Sequence, residues 1–327
     1  MPLLDLDKIT AGLPKTWEGF LRDWDRSLRD WDRSLRAGNY PETTRYNYLL
    51  AAVQLARYLN QHATPGLEAQ DAAEDPTEVT RAHVEAFQGW MIETRSASTA
   101  LNKHKGLQQF FKWLMLDEEE IDRSPMERVR QPKTVKKLIP VMRDDDTRKV
   151  LAVCKGKAFL QLRDEAIIRL YYNTGARLSE VGNLTLDDID LVTDSVHYHG
   201  KGSRDRRVRF GPKTARAVSR YLRARAKRKG AELPDLWLAE RGGRRLAPNG
   251  IKIMIKRRGL SAGMKGVHAH RWRHNFAHEW KRAGGDSGDL MLLMGWVSED
   301  MPRHYGASAA AERAQETHQR MGIGENV

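Results

Sequence analysis

The chain has 327 residues, 40% of them hydrophobic and 30% charged, with a formal net charge of +13 and an isoelectric point near 9.8. That length suffices for two ordinary domains, and the basic surplus points to a polyanion, nucleic acid before an anionic membrane surface. No run approaches the ~20 apolar residues of a spanning helix. Asp5 and Asp7 do not fit a signal peptide, and Cys154 alone cannot form an intrachain disulfide. No membrane contact and a reducing, cytoplasmic location are therefore expected.

Trp17 to Arg36 predicts an amphipathic helix with Trp17, Trp24 and Trp31 seven residues apart. Within it, Leu21 to Ser27 recurs at once as Leu28 to Ser34. Seven residues are nearly two turns and rotate the face by only ~20°, so both copies keep the same apolar side. We read one long helix with a tryptophan stripe in the core, not a solenoid. Thr43 to Asn60 predicts a second helix, with Tyr46, Leu49, Leu50, Val53, Leu55 and Leu59 on roughly one face. His62 to Pro76 is acidic, Ala-rich and broken by Pro65 and Gly66, and reads as a loop. Thr80 to Glu93 and Thr99 to Leu116 complete a bundle of about four helices. Asp122 to Leu138 carries Pro125 and Pro132 among Arg123, Arg128, Arg130, Lys133, Lys136 and Lys137. Proline and like charges predict an extended linker, either simply solvated or lying along phosphates.

A second domain starts at Pro140. Asp144 to Lys155 and Leu160 to Asn173 predict helices. Val196 to His199 and Arg207 to Phe210 alternate like strands around the turn Gly200-Lys201-Gly202-Ser203. Lys213 to Lys227, Asn249 to Arg258, Arg271 to Arg282 and a polar run from Ser308 to Met321 predict further helices. The expected fold is mainly α with a small antiparallel β-sheet, divided into residues 1–121, a basic linker 122–139, and residues 140–327.

Four segments of the second domain suit phosphate chemistry when taken together. In Thr174-Gly175-Ala176-Arg177-Leu178-Ser179-Glu180, a helix ends at a glycine and another opens directly after Arg177. A guanidinium held by packed backbone on both sides can grip a phosphate with two parallel hydrogen bonds, although a lone arginine there is more often a surface cap. Lys201, at a glycine-flanked hairpin tip, could donate a proton or be an ordinary turn lysine. His268-Ala269-His270-Arg271-Trp272-Arg273 places histidine and arginine three apart on one helix face. The series His270, His274, His278 also raises a metal reading. Arg271 stands where a zinc-protease helix has glutamate, and Arg271 and Arg273 would repel a cation, so no metal is expected there. Tyr305 follows Leu293-Met294-Gly295-Trp296 and precedes Gly306. On a mobile segment beside cations, its phenol becomes a useful nucleophile; alone it would be a packing residue.

These four segments, "TGARLSE", "GKGSRDRRV", "HRWRHNFA" and "LMGW" with the later "HY", resemble the tyrosine recombinase (phage integrase) family, which includes the Xer recombinases and Cre. They occur in the family's order and at compatible spacings. The resemblance implies an N-terminal helical core-binding (SAM-like) DNA-binding domain and an α+β catalytic domain forming a C-shaped clamp around DNA. It implies strand cleavage and rejoining through a 3′-phosphotyrosine, with no cofactor, no catalytic metal and no ATP. Position by position, it makes Tyr305 the nucleophile, Arg177 and Arg273 the phosphate-binding arginines, His270 the proton acceptor and Lys201 the donor to the leaving oxygen. Glu180 would be the supporting carboxylate. Trp296 stands where most members have histidine, so that position loses any proton-transfer role and would supply an indole N–H or brace the tyrosine. His268 with Arg271 is an alternative pair; the continuation after Arg273 and the distance to Trp296 favour His270 with Arg273. The resemblance further implies double-stranded DNA with an inverted-repeat recombination site, a dimer on each site, a tetramer in synapsis, and a tail helix, with Ala309 to Ala311 on its apolar face, docking on a neighbouring subunit. An accessory or partner recombinase is compatible with it. Arg45, Lys103, Lys105, Lys133, Lys136 and Lys137 are candidate DNA contacts. A type IB topoisomerase uses the same groups without a defined site, and a catalytically silent DNA-binding protein is the rival from another class.

Overall fold

The polar residues of the N-terminal unit mark where its helices begin. Asp23, Thr80 and Ser96 lie in extended backbone and accept hydrogen bonds from the amides of Arg26, His83 and Thr99, satisfying N–H groups that a helix start leaves unpaired. The computed structural model describes residues 4–13, 23–62, 69–135, 141–200 and 205–325, and the chain divides into two units, Met1–Lys136 and Lys137–Val327. Among the described residues, no helix is long and apolar enough to cross a membrane.

The first unit contains α1 (Leu6–Thr10), α2 (Trp24–Ala37), α3 (Glu42–Gln61), α4 (Ala69–Glu74), α5 (Arg81–Thr94) and α6 (Ala97–Leu116). Trp24 and Trp31 are fully buried. Trp24 stacks on Phe110 at 5.6 Å, and Trp31 meets Phe110, Tyr48 and Trp113. Trp17 and the start of the duplicated segment lie outside the described residues. The stretch expected as one loop contains α4, because Ala72 and Ala73 are buried and the Ala72 carbonyl accepts the Trp24 indole N–H at 3.0 Å. Packing, not local pattern, fixes that turn of helix. Part of the expected extended linker also folds back. Met126 and Val129 join the bundle core, and the Gln88 side chain donates to the Arg130 carbonyl at 2.9 Å.

The second unit contains α7 (Asp144–Ala152), α8 (Phe159–Thr174), α9 (Leu178–Gly182), β1 (Ile189–Asp190), β2 (Ser195–Tyr198), β3 (Arg206–Arg209), α10 (Pro212–Arg225), α11 (Pro248–Ser261), α12 (Ala269–Arg282), α13 (Ser287–Met294) and α14 (Asp300–Met321). The sheet is antiparallel in the order β1-β2-β3, one short strand more than the alternation announced. α8 packs on α10 and α12, and its Ala166, Ile167, Ile168, Leu170 and Tyr171 are all buried. Asp164, also on α8 and fully buried, bridges Arg163 and Arg258 at 2.8 Å each, which compensates a charge that would otherwise be costly in the interior. Tyr305, on a segment that can be mobile by its sequence, lies inside α14, which packs on α12 and is tied to it by His278 Nε2 and Glu312 at 3.2 Å. Ala309, expected to face a neighbouring subunit, is buried within its own chain.

Candidate active site

Two glycines end helices and aim their carbonyls at arginines. Gly175 closes α8 with a left-handed φ of +61°, a conformation glycine adopts without penalty. A Cβ there would stand 2.9 Å from Phe276 and 3.0 Å from Met294 Sδ. Gly295 closes α13 with φ +60°. The Gly175 carbonyl accepts Arg273 at 2.9 Å, and the Gly295 carbonyl accepts Arg177 at 2.9 Å.

Arg177 is the residue before α9, in extended backbone. Its amide and its guanidinium both donate to Glu180, at 2.7 Å each. Arg206, at the start of β3, grips the same carboxylate through two nitrogens at 2.9 and 2.8 Å, with its guanidinium 5.0 Å from the Tyr198 ring centroid. Burial alone would raise the Glu180 carboxyl; the hydrogen bonds and charge of Arg206, then the donors of Arg177, outweigh it and hold the group at about 2.

The same arginines cap α13. Consecutive carbonyls at its end each take one guanidinium: Leu293 from Arg206 at 2.7 Å, Met294 from Arg273 at 2.7 Å, and Gly295 from Arg177 at 2.9 Å. A helix C-terminus carries partial negative charge, so the arrangement fixes three cations without neutralising them. Burial, and then the charge of Arg177, lower Arg273 to about 10, and it stays a cation at neutral pH. Three arginines facing the one carboxylate of Glu180 leave a positive surplus, the electrostatic signature of an anion site.

Tyr305 enters this cluster from α14. Its hydroxyl lies 2.9 Å from His270 Nε2, and Arg273 is within hydrogen-bonding reach of the phenol. The ring stacks on His274 at 4.0 Å and meets Trp296 in a tilted contact at 4.7 Å, with 36° between the planes. Trp296 is buried, with the Arg273 guanidinium 5.2 Å over its ring. Burial pushes the phenol above its ordinary 10, while Arg273 and then Arg177 pull it back.

The structure thus gathers Arg177, Glu180, His270, Arg273, Trp296 and Tyr305, and of the two His-x-x-Arg pairs it is His270 with Arg273 that reaches the phenol. Lys201, Lys136 and Lys137 lie outside the described residues. Lys105 and Lys133 are exposed. Lys103 is half-buried, and burial holds its ammonium below the usual lysine value. Arg45 is spent on buried Asp32, at 2.8 and 3.1 Å. Arg206 and His274 also belong to the cluster, beyond the residues expected from the motifs. A signal for Arg206 existed: along β3, Arg206 and Val208 share the inward face while Arg207 and Arg209 are exposed, and an inward arginine requires a partner. His274 lies one helical turn beyond His270, and that spacing brings both rings to the phenol.

The family of this architecture is settled by comparison. The pattern of the phage integrase family matches residues 140–312, and that of the phage integrase N-terminal SAM-like domain matches residues 28–121. The chain belongs to the phage integrase family. It is 30% identical over 280 residues to the tyrosine recombinase XerC of Syntrophus aciditrophicus (strain SB), covering 82% of this chain and 88% of that one. It is 29% identical over 263 residues to the tyrosine recombinase XerC of Bacillus pumilus (strain SAFR-032), covering 79% and 83%. Its fold is similar to that of the XerH site-specific recombinase bound to a palindromic difH substrate in a post-cleavage complex, with a TM-score of 0.71 at 18% identity over 91% of this chain and 84% of that one. The protein is a tyrosine recombinase, an enzyme that breaks and rejoins DNA strands at specific sites.

Proposed function

We propose that Tyr305 attacks the scissile phosphate in the pocket of its own subunit. The observation that carries this reading is the phenol oxygen, 2.9 Å from His270 Nε2 and beside Arg273. His270 accepts the phenolic proton as the oxygen–phosphorus bond forms. Arg177 and Arg273 stabilise the charge that builds on the nonbridging oxygens, with donors already fixed by carbonyls and by Glu180. The 5′ oxygen leaves with a proton from Lys201, giving a 3′-phosphotyrosine and a free 5′ hydroxyl. A 5′ hydroxyl of the partner strand then attacks the phosphotyrosine and restores the phenol, so one ester replaces another and no ATP is consumed. Trp296 braces the phenol ring through a tilted contact and lies under Arg273.

The DNA is proposed to be a duplex site with inverted repeats, each occupied by one subunit, two subunits per site and four per synapse. The palindromic substrate of the solved relative and the net charge of +13 support this. The test is a nicked suicide duplex carrying the site. The unaltered chain is expected to form a covalent adduct, whereas Tyr305→Phe should bind the site nearly as well and form none. An adduct that survives Tyr305→Phe would remove this tyrosine from the mechanism.

A further inference from the structure

A second cluster of chemistry-bearing residues sits on the three-stranded sheet, apart from the tyrosine. His197 on β2 and His199 just beyond it are two apart and therefore project to the same side, with ring centroids 4.5 Å apart. Asp188, immediately before β1, is buried, and its backbone carbonyl accepts the His197 amide at 2.9 Å. One carboxylate oxygen of Asp188 is fixed by the amide and hydroxyl of Thr185, at 2.7 and 2.8 Å. The other lies 2.9 Å from His199 Nε2. One ligand atom from each of Asp188, His197 and His199 falls within 4.8 Å of the other two. Asp205, directly before β3, lies 3.0 Å from His199 Nδ1.

We propose that Asp188, His197 and His199 form a binding site for a divalent first-row transition cation, Zn2+ in the first instance. Two imidazoles and one carboxylate are a zinc-type donor set. The surroundings supply what such a site needs beyond its ligands. Metal-bound histidine ordinarily gives its second N–H to a carboxylate, which fixes the tautomer and the ring; Asp205 takes that place on His199. Thr185 does the same for Asp188. The side chains of His197 and His199 are 38% and 61% exposed, which gives a cation access and leaves room for water to complete its coordination. Arg207 stands directly across from His197 in the register, on the same face, but its charge leans to Asp190 at 3.7 Å.

The position gives the site a consequence. Tyr198, between the two histidines, points to the opposite, buried face, where its ring lies under Arg206. A cation here would hold one face of β2 while the other supports the arginine–glutamate cluster. It would also fix the His199 ring whose Nδ1 is paired with Asp205.

The probe is ZnCl2 titrated calorimetrically into the full chain, prepared without a histidine tag and stripped with a chelator. One saturable equivalent per chain is expected. His197→Ala or His199→Ala should abolish it, Asp205→Asn should weaken it about 10-fold or more, and His318→Ala, an exposed histidine elsewhere, should leave it unchanged. Binding that persists at full strength in both His197→Ala and His199→Ala, or no saturable heat from the unaltered chain, overturns the proposal. Cobalt(II) supplies a readout that needs no variant: a changed visible spectrum saturating at one equivalent supports the site, and a spectrum equal to that of the aqueous ion overturns it.

Discussion

Glu180 is buried between two guanidinium groups, and its worth is in that pairing. Removing the charge leaves buried Arg206 uncompensated, which typically costs about 3–5 kcal/mol, while the more exposed Arg177 is screened by solvent and adds little. Glu180→Gln is therefore expected to destabilise the catalytic unit by about that much at neutral pH in urea denaturation. The pH dependence has a definite sign. The folded carboxyl titrates at about 2, below the 4.5 of the ordinary group, so its stabilisation is fully present above the ordinary value and is lost as pH falls from there toward 2. The gap in melting temperature between the unaltered chain and Glu180→Gln should hold from neutrality to mild acid and narrow below it. A gap that stays constant to pH 3, or widens, contradicts the assignment.

At the scale of elements, the site depends on where helices stop. Gly175 ends α8 in a left-handed turn with no room for a Cβ, and its carbonyl holds Arg273. Gly175→Ala combines a backbone penalty with overpacking, together about 2–4 kcal/mol. It is expected to lower stability in denaturant and also to slow adduct formation, because Arg273 loses its seat; a variant with unchanged urea midpoint would refute the packing argument. The sequence foretold much of this. The helix–turn–helix around Arg177, the hairpin and the His270–Arg273 face were legible because local periodicity and turn residues specify them. The full length of α14 and α4 were not, because both rest on packing partners distant in sequence, such as Ala72 under Trp24 and His278 with Glu312. α13 was missed although its caps are local, Asp286 before it and left-handed Gly295 after it. Arg206 was readable in principle from strand alternation, yet its role depends on Glu180, which lies 26 residues away. Nor could spacing show that Arg45 is spent on Asp32, an ion pair within the bundle.

For the whole molecule, the net charge of +13 makes affinity for DNA depend on counterion release. A protein contacting several phosphates loses on the order of 10³-fold in affinity between about 50 and 200 mM salt, and filter binding should find a fall of that size; a flat salt profile would place the basic surplus elsewhere than on DNA. Each subunit is proposed to assemble its own nucleophile and arginines, since the Tyr305 phenol meets His270 and Arg273 of the same chain. The direct test mixes two inactive variants, Tyr305→Phe and Arg177→Ala, on the nicked suicide duplex. With the tyrosine acting within its own subunit, no mixed pair contains a complete site and no covalent adduct forms. Adduct that appears on mixing, though neither variant yields any alone, would show the tyrosine reaching a neighbour's arginines and would contradict the geometry described here.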